Sequence, residues 1–286
     1  MESKIKLAVN TSIYDGYDLE TIFLSIRKCG FQFFELAYNQ GYVSDFKEDR
    51  FSEKHAGEIN LLKDKYQLNT LALGCTMDLA TDDLSSIFLP RLQFAHLIGA
   101  KYINVCTTQL VNKNKLIQNL ISLKPLLARF DCILCLENAG DYNFNAFTTL
   151  EDGIELLHLL GDERYALNFD PGNMMTYQPH LNIVQQALDS MQYCRYFHVK
   201  DVVVQKDKFN FVTIGQGEID YSLIVNKLIE SDIPFSFEIP LRIYRELDST
   251  PKKIEGLIPL SLIETTLIES KKYIDDIYKG LVNKNE

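Results

Sequence analysis

The chain has 286 residues, 46% hydrophobic and 24% charged, with 14 glycines and 8 prolines, a composition that excludes collagen-like and disordered classes. Its formal net charge of −10 repels phosphate backbones and anionic bilayers, so neither nucleic acid nor membrane is an expected partner. A chain of this length can form one α/β barrel domain, which commonly takes about 250 residues.

In chain order, the first ten residues hold two lysines and a short apolar run, too little for a secretory signal. No stretch approaches the roughly 18 apolar residues of a membrane span. The six cysteines sit mostly inside apolar runs, as buried free thiols do. Cys132 and Cys135 have the spacing of a ligand pair, but three apart on a strand they face opposite sides. A cytoplasmic location is expected.

Strand-like runs fall at Ile5–Val9, Phe31–Leu36, Thr70–Leu73, Tyr102–Cys106, Ile133–Leu136, Tyr165–Phe169, Arg195–Val199 and Pro234–Ile239. Amphipathic stretches lie between them at Leu19–Cys29, Ser52–Tyr66, Leu84–Leu97, Lys115–Phe130, Leu150–Leu160 and Tyr221–Glu230, and Leu260–Tyr278 closes the chain. Asp18, Ser52, Asp82 and Asp220 stand where N-caps belong, and Gly30, Gly99 and Gly161 follow helix ends. Repeated βα units require a parallel sheet. Eight of them suit a closed (β/α)₈ TIM barrel better than an open sheet, and Asn10-Thr11-Ser12-Ile13-Tyr14 is not a glycine-rich phosphate turn. Residues 1–286 are therefore read as a single TIM-barrel domain. Two excursions, 38–50 and 202–217, rise over the C-terminal face, the second as a hairpin turning at Gln205-Lys206-Asp207-Lys208.

In such a barrel the chemistry belongs at the C-terminal strand ends. Four consecutive strands end on Glu137, Asp170, His198 and Glu238. Counting back by twos, each shares a face with small or partly polar residues, while Leu136, Phe169, Phe197 and Phe237 take the opposite face. The four polar ends therefore point into the barrel mouth. Three carboxylates and an imidazole so close together need a compensating cation. Three oxygens and one nitrogen suit one divalent ion, Mn²⁺ first, with Zn²⁺, Co²⁺ or Mg²⁺ as alternatives. The other reading is four separate rim salt bridges.

These residues, with Gly30-Phe31-Gln32-Phe33-Phe34-Glu35-Leu36, Leu136-Glu137-Asn138, Asp170-Pro171-Gly172-Asn173, His198-Val199-Lys200-Asp201, Gly215-Gln216-Gly217-Glu218-Ile219-Asp220-Tyr221 and Phe237-Glu238-Ile239, make the chain resemble a known group. It is similar over nearly its whole length to the sugar phosphate isomerase/epimerase family of xylose-isomerase-like barrels. That family includes ketose 3-epimerases, hydroxypyruvate isomerase, inosose dehydratase and, more distantly, endonuclease IV. The resemblance implies metal ligation by Glu137, Asp170, His198 and Glu238. It also implies proton removal and return by Glu137 and Glu238 through an enediolate, on a small ketose, ketose phosphate or cyclitol. An inosose-type dehydratase on the same site is the alternative. An apurinic-site endonuclease, for which only His198 of the histidines is suitably placed, and a non-catalytic sugar-binding protein are more distant ones.

The chain departs from many epimerases at two points. Asn173 stands where they have histidine, and Val202–Val204 replace an arginine found in some after the seventh-strand histidine. Substrate contacts are expected from Glu35, Asn173, Lys200 and Arg242. Glu35 and Lys200 read equally well as rim or solvated charges. Arg242 and Arg245 could hold a phosphate or be ordinary helix-surface charges. The apolar tail Ile258–Ile268 offers a face for a homodimer as readily as for packing on the barrel.

Overall fold

A computed structural model describes residues 5–42 and 47–285. β1 (Leu7–Asn10), β2 (Phe33–Ala37), β3 (Asn69–Gly74), β4 (Tyr102–Val105), β5 (Ile133–Glu137), β6 (Tyr165–Phe169) and β7 (Cys194–Val199) run parallel in sequence order. β8 (Asp201–Val204) and β9 (Lys208–Val212) leave the barrel, and β10 (Phe235–Phe237) closes it between β7 and β1. The result is the eight-stranded TIM barrel that the alternating pattern predicts.

Strand periodicity explains the layering. Leu134, Leu136, Phe169, Phe197 and Phe237 turn outward into the large core beneath the helices. Each fully buried side chain of this kind contributes about 1.5–3 kcal/mol. Ala72, Cys135, Ala166 and Tyr196 form a separate inner cluster. Cys132 belongs to the outer core and Cys135 to the inner one, and both are free thiols.

The covering helices are α1 (Leu19–Lys28), α2 (Glu53–Tyr66), α3 (Leu84–Ile98), α4 (Lys113–Phe130), α5 (Leu150–Leu160), α6 (Pro171–Tyr177), α7 (Ile183–Ser190), α8 (Tyr221–Glu230) and α9 (Leu260–Asn285). Asp18, Ser52 and Asp220 cap their helices by accepting from the backbone N–H of Thr21, His55 and Ser222. The cap expected at Asp82 falls instead on Asp83, which is left-handed (φ 51°) and makes no side-chain capping bond. The α9 face carrying Ile263, Leu267 and Ile274 is fully buried. Among the described residues, no helix is long and apolar enough to cross a membrane.

Two units depart from the simple βα pattern. The sixth strand is followed by two short helices, α6 and α7, because Asp170 caps a new helix at once with Pro171 at its start; proline is pre-organised for that position. The eighth strand is followed by β11 (Ile243–Glu246) and β12 (Pro251–Lys253) before α9. Arg242 therefore lies in a turn and Arg245 on a strand, which corrects the helix-surface reading of both. β8, β9, β11 and β12 pair antiparallel in the order β12-β11-β9-β8. Of the excursion at 38–50, residues 43–46 lie outside the described residues.

A buried carboxylate anchors this added sheet to the barrel. Asp201 accepts backbone N–H groups of Val202, Gly215 and Gly217 at 2.9 Å and of Ile219 at 3.3 Å. Asp201→Ala would strand these donors and is expected to cost roughly 3 kcal/mol or more. Urea unfolding of the variant checks this; a loss under about 1 kcal/mol would show that the loop finds other acceptors.

Candidate metal centre and active site

Each of the four strand-end residues is placed by its strand. β5 ends on Glu137, Asp170 follows β6, His198 lies on β7 and Glu238 follows β10. One ligand atom from each lies within 4.8 Å of the other three, and all four residues are buried. Donors 2.0–2.3 Å from a common ion would stand up to about 4.6 Å apart, so the set is nearly closed. His198 Nδ1 faces Glu137 Oε1 at 3.1 Å, Glu238 Oε2 at 3.2 Å and Asp170 Oδ2 at 3.9 Å. Lys200 Nζ stands 2.7 Å from Asp170 Oδ2 and 2.6 Å from Glu238 Oε2. Lys200 therefore supplies one positive charge to the cluster. Three carboxylates and an imidazole with their ligand atoms this close still form a donor set of the kind that fits a divalent cation.

The charges shift one another strongly. Burial, with the nearby Glu238 charge, pushes the Glu137 carboxyl up to about 7 against the opposing pull of His198 and Lys200. Burial likewise raises Asp170, with Lys200 opposing. It would raise Glu238 too, but Lys200 and His198 hold that carboxyl well below its usual range. For His198, burial works against the charged form and is overcome by Glu35, Glu137 and Glu238, so the imidazole lies well above its ordinary value.

The remaining expected site residues fall in three places. Glu35 is fully buried behind His198: its Oε2 and Oε1 face His198 Nε2 at 3.0 and 3.2 Å. It also accepts from Asn104 Nδ2 at 2.8 Å and Ser236 Oγ at 2.5 Å. It is therefore placed to orient the imidazole and is not among the residues lining the cavity. Asn173 sits at the centre of the site. Its Nδ2 donates to Glu137 Oε1 at 2.8 Å, and its Oδ1 accepts from Lys200 Nζ and Arg245 Nη1, each at 3.0 Å. Arg242 lines the cavity but is ion-paired with Asp15 at 2.9 Å.

The cavity above the four residues is also lined by Tyr42, Cys106, Asp141, Phe144, Phe211 and Arg245. Sequence reasoning passed over Asp141, Tyr42 and Phe211. For Phe211 a signal existed: Phe209 and Phe211 alternate with polar residues on β9, and both are buried.

The chain matches the family described as the xylose isomerase-like TIM barrel over residues 23–258, and it belongs to that family. No curated protein matches it. Among solved structures it resembles D-allulose 3-epimerase from Methylomonas sp. in complex with D-allulose (13% identity, TM-score 0.70, covering 96% of this chain and 97% of that one). It also resembles a xylose isomerase domain protein from Planctomyces limnophilus (13%, TM-score 0.73, 99% and 100%). A third is the probable 3-DHS dehydratase of petrobactin synthesis from Bacillus anthracis (14%, TM-score 0.68, 92% and 97%). At these identities the likeness establishes the shared fold.

Proposed function

We propose that the protein is a divalent-metal-dependent isomerase or epimerase of a small ketose or a related polyhydroxy ketone. The observation that carries this reading is the buried Glu137–Asp170–His198–Glu238 set with its ligand atoms within 4.8 Å of one another. The four residues would hold the ion, Mn²⁺ being our first choice, which supplies Lewis-acid stabilisation of charge developing on a carbonyl oxygen. Glu137 and Glu238 both line the cavity and reach the substrate carbon from different strands. One carboxylate removes the proton beside the carbonyl; the other returns one to the opposite face for epimerisation, while return at the neighbouring carbon gives isomerisation. Asn173 fixes Glu137 through Oε1, and Oε2, 3.8 Å from the Cys106 thiol, is the oxygen for proton transfer.

A dehydratase reading has one observation in its favour. Expelling a β-hydroxyl needs a proton donor, and the Lys200 ammonium stands 2.6 Å from Glu238 Oε2. The fold family, the charge and the cavity all suit a small carbohydrate substrate in either case.

The test is proton NMR in D₂O on ketoses, their phosphates and inososes incubated with Mn²⁺, which is chelated before acquisition. Deuterium beside a carbonyl supports enolisation, and the product separates epimerase, isomerase and dehydratase. Absence of exchange across the panel, with metal bound, would remove the reading.

Glu35 offers a second check. Holding Nε2–H of His198 leaves Nδ1 toward the other ligands, and outer partners of this kind are typically worth about 10–100-fold in metal affinity. Glu35→Gln is expected to weaken Mn²⁺ binding by that factor in calorimetry. Unchanged affinity would mean that His198 is oriented by packing alone.

A further inference from the structure

We propose that the cavity takes a ketose bearing a carboxylate, recognised by Arg245 with Lys200 beside it; this rests on the enolisation reading above and names its substrate class. Arg245 comes from β11 of the added sheet. Its guanidinium is fixed on one side, where Nη1 donates to Asn173 Oδ1 at 3.0 Å and Thr176 Oγ1 at 2.5 Å. It also lies against Gly140, where a Cβ would stand 1.8 Å from Nη1. Lys200 Nζ donates to the same Asn173 oxygen at 3.0 Å. The two cationic nitrogens are thus at most about 6 Å apart, each bonded to one neutral oxygen. Both lie over the Phe211 ring, the guanidinium carbon 5.5 Å and Nζ 5.6 Å from its centroid. Their side chains are only 7% and 4% exposed, so water screens their charges poorly, and of the two only Lys200 has carboxylates within 3 Å.

The other side of the guanidinium is unspent. Arg245 Nη2 makes no hydrogen bond within the described residues, and its nearest carboxylate oxygen, Asp141 Oδ2, is 3.8 Å away. That oxygen already accepts from Tyr42 Oη at 2.6 Å. Lys200, by contrast, is ion-paired with Asp170 and Glu238 at 2.7 and 2.6 Å, so the unspent donor of the pair belongs to the guanidinium. A carboxylate in the cavity would supply the acceptor Nη2 lacks. Its planar pair of oxygens can meet one donor each. Glu137, Asp141 and Glu238 line the same cavity, so a dianionic phosphate meets more repulsion than a monoanion does.

The experiment measures dissociation constants of the Mg²⁺-loaded protein for 5-keto-D-gluconate, D-fructose and D-fructose 6-phosphate by calorimetry, in wild type, Arg245→Gln and Arg245→Lys. The keto acid is expected to bind about 10–100-fold more tightly than fructose, the range of a buried charge-assisted hydrogen bond. Arg245→Gln should erase that advantage, weakening the keto acid far more than fructose, and Arg245→Lys should restore part of it. If the Gln variant does not fold, the Lys variant decides, since loss of the fork should still cut the keto acid's advantage severalfold. Equal binding of keto acid and fructose, tighter binding of the phosphate, or equal weakening of all three ligands would each overturn the proposal. Absence of any keto-acid preference in the wild type, with deuterium exchange intact on a neutral ketose, sinks this inference alone. A preserved preference without exchange on any ligand sinks the enolisation reading alone.

Discussion

Glu137→Gln and Glu238→Gln are each expected to lower the rate of substrate interconversion by about 10²–10⁴-fold, the usual cost of losing a positioned acid or base. The two variants should fail differently. In a two-base epimerase each carboxylate serves one face of the substrate carbon, so each variant should still wash deuterium into one epimer while converting neither. In an aldose–ketose isomerase, one variant would stop exchange from both partners and the other would affect mainly metal binding. Glutamine keeps the size of glutamate and, at 137, an oxygen able to accept from Asn173 Nδ2, so folding should survive. Full activity in both variants would remove the two carboxylates from the chemistry.

Metal binding should be visible in stability as well as in turnover. An ion that binds only the folded chain, at about a hundredfold its dissociation constant, adds about 2.7 kcal/mol. For a domain of this size that is a rise of about 5 °C in Tm. Asp170→Asn should abolish the increment. The substitution is well suited to the purpose, because Asp170 Oδ1 also caps α6 by accepting from Asn173 N at 2.9 Å and asparagine caps about as well as aspartate. The cap should therefore survive, while losing the Lys200 ion pair at 2.7 Å lowers the Tm without added metal; the decisive result is that the further rise on adding Mn²⁺ should vanish. An Asp170→Asn protein stabilised by Mn²⁺ as strongly as wild type would exclude the residue as a ligand.

The barrel and its four-residue cluster were legible because both are encoded in period two. Small or polar residues lead inward to Glu137, Asp170 and His198, and large ones pack outward, a pattern readable along each strand without knowing its neighbours. Depth in the barrel was not legible. Glu35 ends an apolar run much as Glu137 does, yet its strand is staggered, with a register shift against β3 between Phe34 and Glu35. Its carboxylate lies one layer below the cavity, against His198. Arg245 was obscured for another reason. Its strand exists by pairing with β9, Arg245 opposite Phe209, and a local pattern carries no trace of a partner so distant in sequence. The two helices after β6 were hidden because the interval carries no long amphipathic run, only a proline start and two short turns of helix.

The added sheet gives the site two separate backbone supports. Glu137, Asp170, His198 and Glu238 belong to the staves of the barrel, where a change of backbone disturbs the whole closure. Phe211 and Arg245 belong to segments that pair chiefly with each other and rejoin the barrel at Asp201. A shift of β9 and β11 would move Phe211 and Arg245 while the hydrogen bonds that close the barrel stay as they are.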